Sequence, residues 1–211
     1  YGGLCEAIGE KGTVKNLLVF DCDFMSSSKV AGGIAAVNKG TINHCSSGVN
    51  ITTGSIILSD KTIDLASLNS NIKGDLSGGI VGENSGTITG CRNSAIVSGT
   101  QCGGIASVNT GKIYGCANGI GIGTTSSTIS GGLVGKNGGT IESSYNSVTI
   151  NGTSKNTNGS IAGINGYDGL IPTVKNVFYI TSDTLNAVGT DSTHTPDNTN
   201  TAMSNIPDFQ N

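Results

Sequence analysis

The sequence predicts an all-β chain wound as a parallel β-solenoid. Three observations carry that expectation. One phrase recurs along the chain, its apolar residues alternate over short stretches, and glycine is abundant without a collagen period. The 211 residues include 34 glycines, 3 prolines and no tryptophan. Glycine at that density, without a strict three-residue repeat, excludes collagen. With no i, i+3, i+4, i+7 apolar pattern it also excludes helix. Charged residues make up only 12%, too few for self-repelling disorder.

The copies follow one another in order. "GGLCEAIGEKGTVKNLLVF" from Gly2 is a divergent first copy, and "GGIAAVNKGTINHCSSGVNI" starts at Gly32. A long interval follows. It is expected to hold a worn copy, "GSIILSDKTIDLASLNSNI" from Gly54, with Asp60 and Ile63 at the ladder and apolar positions; the alternative is a surface insertion. "GGIVGENSGTITGCRNSAIV" starts at Gly78, "GGIASVNTGKIYGCANGIGI" at Gly103 and "GGLVGKNGGTIESSYNSVTI" at Gly131. The last copy, from Gly159, carries an insertion after Gly166. Seven coils are thus expected over residues 1–180, with 181–211 as a C-terminal cap or exit segment.

Each unit reads as three short strands and three bends. Ile88 lies between Thr87 and Thr89, and Ile141 between Thr140 and Glu142, which is strand alternation in short pieces. One unit cannot bury its own apolar face, whereas stacked units can, with about 4.8 Å between coils. Glycine is expected at corners needing positive φ and where the wall bends around a thin core. The third position (Leu4, Ile34, Ile56, Ile80, Ile105, Leu133, Ile161) is assigned to the core. The seventh position gives Asn38, Asp60, Asn84, Asn109, Asn137 and Asn165, an expected ladder of stacked side-chain amides. The fourteenth gives Cys45, Cys91 and Cys116, then Ser144. This is expected to be a row of buried free thiols. A Cys91–Cys116 disulfide is the alternative, disfavoured because stacked side chains run parallel.

These phrases resemble the GLUG motif, named for its G-G-L-V-G opening, over about two thirds of the chain. The resemblance implies a right-handed solenoid in a large bacterial surface or secreted protein, often adhesin-like. Some copies of the motif lie in non-catalytic regions of IgA-specific metallopeptidases. The motif brings no catalytic residues with it. The first copy and the stretch at Gly54 depart from the pattern.

Chemistry on the chain itself is sparse. Asp21 and Asp23 flank Cys22 and could pair on a strand, but they read better as a solvated strand end. His44 and Cys45 are adjacent in sequence, so on a strand they point to opposite faces and form no dyad. There is no C-x2-C pair to suggest zinc. No metal, cofactor or catalytic residue is therefore expected. A net charge of −3 with a single arginine argues against nucleic acid, and no apolar run reaches membrane length. An ice-binding face would need ranked Thr-x-Thr, which breaks at Lys112-Ile113-Tyr114 and Thr140-Ile141-Glu142. The chain begins at Tyr1 without methionine and reads as a piece of something longer. The expectation is an extracellular or cell-surface rod of adhesin type. Its partners would be neighbouring coils or domains of a longer chain and a host glycan or protein. Tyr114, Tyr145 and Tyr167 are its candidate binding residues. An accessory region of a secreted peptidase or glycan-active enzyme is the alternative. Asn50, Asn151 and Asn158 open N-x-[ST] sequons.

Overall fold

The computed structural model describes residues 1–25, 29–48, 55–58, 61–64, 70–124, 126–152, 154, 156–180, 185–192 and 201–203. It is a parallel β-solenoid of about six turns. A turn passes through four strands rather than three. In the best-formed turn these are Ile96–Gly103, Ala106–Asn109, Lys112–Tyr114 and Ala117–Asn118. The corresponding strands of successive turns stack into four sheets, numbered first to fourth in that order. The fourth strand has two residues in this turn, too short for alternation to register in the sequence.

The stacking is in register. Ala35, Val81, Ala106, Val134 and Ala162 align along the second sheet, and Ile42, Ile88, Ile113 and Ile141 along the third. The apolar core lies between the sheets. Ile34, Ile80, Ile105, Leu133 and Ile161 are fully buried, as are Ile42, Ile88, Ile113 and Ile141. Leu4 heads the first of these columns but is 57% exposed, because the first turn is covered from one side only. A smaller cluster of Ala31, Ile72, Ala95, Val97, Cys102 and Ile122 packs inside the first sheet.

The expected coil at Gly54 is absent from the stack. Ser55–Leu58 pairs antiparallel with Lys61–Asp64, and these two strands form a separate sheet. Ile56, assigned to the core column, instead pairs with Ile63 across this hairpin. The turns starting at Gly32 and Gly78 bond directly to each other, with Asn38 opposite Asn84 and Ser47 opposite Asn93. Each strand offers two edges, and here both are taken, so no coil fits between. Asp60 and Asn50 lie outside the described residues. Beyond residue 180 two ladders continue: Val188–Asp191 adds to the second sheet and Thr201–Met203 to the fourth.

The glycine pairs at 32, 78, 103 and 131 serve close approach, not positive φ. Neither glycine of the pairs at 32, 78, 103 and 131 is among the positive-φ residues. A Cβ on the first glycine would strike the carbonyl three residues on, at 1.9 Å from the Ala106 oxygen for Gly103. The left-handed corner lies elsewhere, one residue before the cysteine column. It is occupied by Asn16, His44, Gly90, Gly115, Ser143 and Asn176, with φ between 49° and 62°. Non-glycine residues pay a steric penalty in this region. Ser143→Gly is therefore expected to raise stability by up to about 1 kcal/mol, measured as a shift in the urea midpoint.

Candidate functional site

Two polar ladders run through the interior. Asn38 Nδ2 donates to Asn84 Oδ1 at 2.8 Å, Asn84 to Asn109 at 2.8 Å, Asn109 to Asn137 at 2.8 Å and Asn137 to Asn165 at 2.9 Å. The same side chains close the local turn: the Gly40 amide donates to Asn38 Oδ1 and the Gly139 amide to Asn137 Oδ1. That double duty explains the recurring Asn-x-Gly. The second ladder was missed in the sequence. Asn93 Nδ2 donates to Asn118 Oδ1 at 2.9 Å, and Asn118 to Asn146 at 2.8 Å. The signal was present, an asparagine two residues after the cysteine column in three successive copies.

Cys45, Cys91 and Cys116 are buried, and all six cysteines are free. Each of the three thiols donates to the carbonyl two residues before it, those of Asn43, Thr89 and Tyr114, at 3.4 Å. Ser144 makes the same bond to Glu142 at 2.9 Å, so a hydroxyl substitutes for a thiol in this column. The Cys116 thiol alongside and burial together push the Cys91 pKa up. Burial raises Cys102 to about 11. Such thiols remain protonated at neutral pH and are poor nucleophiles. The side chains of both ladders and of the thiol row are buried and bonded within the stack.

The three candidate tyrosines do not converge. Tyr114 ends a strand of the third sheet, with the Lys112 ammonium 5.3 Å from its ring centre. Tyr145 is half-buried in the fourth sheet, in register between Ala117 and Phe178. Tyr167 belongs to the insertion in the last full turn. Asp21 sits in a left-handed bend, and Asp23, on the following strand, accepts a hydrogen bond from Asn71 at 2.7 Å. His44 bonds the neighbouring Asn43 side chain. Along the outer columns of the third sheet, Thr87–Thr89 alone among the described strands carries threonine on both.

The insertion builds a cleft. The strand Ala162–Asn165 ends, and Gly166, Asp168 and Gly169 all take positive φ. The Leu170 amide closes the loop onto the Tyr167 carbonyl at 3.0 Å. The loop then folds back over the turn below, against Gly138. A Cβ there would lie 2.5 Å from Leu170 Cδ1 and 3.2 Å from Tyr167 Cε1. In the three preceding turns the corresponding residues are Lys39, Ser85 and Thr110, and glycine at 138 leaves the space the loop fills. The Lys136 ammonium is 5.9 Å from the centre of the Tyr167 ring. Burial, then the negative charges of Asp168 and Glu83, push the Tyr167 hydroxyl pKa up, which keeps it a neutral hydrogen-bond donor. The cleft has a volume of about 700 Å³ and is lined by Ile164, Tyr167, Asp168, Leu170, Ile171, Thr190 and Ser192. Ile171 is 80% exposed. The Thr190 and Ser192 hydroxyls donate to the Asn156 and Gly166 carbonyls, leaving their oxygens as acceptors. Sequence reasoning singled out Tyr167 but not the residues gathered around it, because they come from two turns and the tail.

Comparison with models of known protein families, with curated proteins and with solved structures yields no match to this chain.

Proposed function

We propose that the chain is a non-catalytic segment of a bacterial cell-surface or secreted protein, an adhesive rod that offers the Tyr167 cleft to a glycan. The observation that carries this reading is the composition of the cleft. Tyr167, Asp168, the hydroxyl-bearing Thr190 and Ser192 and the exposed Ile171 line one cleft at the insertion loop. A ring face with nearby hydrogen-bonding groups suits a sugar, which presents apolar C–H faces and a rim of hydroxyls. The repeat beneath supplies stiffness: its amides and thiols are committed to bonds inside the stack. The likeness to the GLUG motif supports the surface location.

A glycan array and a host-protein screen, run with the intact chain, test the proposal. Tyr167→Ala is expected to weaken glycan capture by about tenfold or more, the scale of a central aromatic contact. Tyr114→Ala and Tyr145→Ala, on other sheets, are expected to leave it unchanged. Undiminished binding by a folded Tyr167→Ala variant removes the site, and capture of a protein with no glycan removes the ligand class.

A further inference from the structure

We propose that Asn151 is the residue at which this protein deamidates, and that the solenoid protects every other Asn-Gly pair. The chain contains five such pairs, at Asn118, Asn137, Asn151, Asn158 and Asn165. In an unfolded chain all five are labile, because glycine offers no side chain to hinder attack by its own nitrogen. The Gly152 backbone nitrogen attacks Asn151 Cγ and forms the carbon–nitrogen bond of a five-membered imide. The Gly152 amide proton and the departing side-chain nitrogen leave as ammonia. Water then opens one of the two imide bonds, adding hydroxyl to the carbonyl carbon and a proton to nitrogen. The products are aspartate or its isomer with the main chain running through the side chain.

The attacking nitrogen must leave its hydrogen bond and turn over the side-chain carbon, and four of the pairs are held against that motion. Asn118, Asn137, Asn158 and Asn165 are buried. The Gly119, Gly138 and Gly166 amides donate to the turn below, to the Asn93, Asn109 and Asn137 carbonyls at 3.0, 2.7 and 2.7 Å. Gly159 lies within the short strand Asn158–Gly159, in register with Gly131. The Asn118 and Asn137 amides are further fixed in the ladders. Their reaction therefore requires a local opening of the stack.

Asn151 differs in its exposure and in the glycine amide that follows it. It is exposed and lies outside any strand, just after Ile150 bridges to Ile122. Its Nδ2 reaches the Gly123 carbonyl at 3.4 Å, and among the described residues no hydrogen bond holds the Gly152 amide. The consequence falls on a tight contact. A Cβ at Gly152 would lie 2.3 Å from Asn158 Cγ, and the buried side-chain amide of Asn158 has no hydrogen-bond partner among the described residues. The isomerised product lengthens the main chain at that point of close packing.

The intact protein is incubated in mildly alkaline buffer, folded and in urea, and digested for peptide mass mapping. In the folded protein the Asn151 peptide is expected to acquire the mass of the acid about tenfold faster than any of the other four. In urea all five are expected to convert at comparable rates. Asn151→Gln, which would need a six-membered ring, is expected to abolish the folded-state change. Conversion of a ladder asparagine as fast as Asn151 overturns the proposal. So does an inert Asn151 in a folded sample whose urea control reacts.

Discussion

Gly104→Ala is expected to destabilise the solenoid by about 3 kcal/mol or more, at the upper end for an overpacked core position. The added Cβ would lie 2.1 Å from the Gly132 carbonyl oxygen and 2.5 Å from Asn118 Cγ. The first contact is with backbone of the next turn, which is held in register by four sheets. The second is with a ladder asparagine fixed by its bond to Asn146. Neither can yield without opening the interface between turns. The same relation recurs: a Cβ on Gly33 would lie 2.1 Å from the Ser47 hydroxyl oxygen, one on Gly79 would meet Asn93 and one on Gly132 would meet Asn146. The second glycine of each pair is therefore the space that the fourth-sheet ladder occupies. Gly9→Ala is the control, since a Cβ there meets nothing within 4 Å. It is expected to change stability by no more than about 0.5 kcal/mol. Urea unfolding followed by circular dichroism measures both, and equal midpoints for the two variants would refute the packing account.

Asn109→Ala is expected to cost about 3 kcal/mol, from two buried amide bonds lost in the middle of a ladder. Asn109 is fully buried, accepts from Asn84, and donates to Asn137 and to the Thr140 carbonyl. Its removal breaks the chain of amides at both sides. Asn165→Ala, the last asparagine of the same ladder, loses the amide bond from Asn137, the one side-chain bond it makes among the described residues, and is expected to cost about 1 kcal/mol. The ordering is the test. If the end residue costs as much as the middle one, the effect is cavity formation and not the ladder.

The parts that were legible in the sequence repeat at fixed spacing. The third-position column, the Asn38 to Asn165 amides and the Cys45, Cys91 and Cys116 row stand at equal offsets from a glycine pair. Equal offsets become vertical neighbours once turns stack in parallel. The fourth strand was illegible because two residues cannot show a period. The second ladder was overlooked although Asn93, Asn118 and Asn146 stand at one offset, because its reason lies in the glycine of the facing wall. The stretch at Gly54 misled for a related cause. Its Gly-Ser-Ile opening matches the repeat, yet a lone match carries no information on whether a slot is free in the stack.

The cleft was legible only as one residue. Tyr167 stood out as an aromatic in an insertion, while Gly138, Lys136 and Glu83 stand in copies where each occupies an ordinary outer position. Repetition in the sequence determined the all-β solenoid and its buried columns, because a short strand with half-buried alternation is stable only when an identical strand lies on either side. The tertiary structure decided which segments enter the stack, which glycines make room and which outer residues meet at Tyr167. Those outcomes depend on edges already occupied and on atoms brought within a few ångströms from separate turns, quantities that have no signature along a single chain.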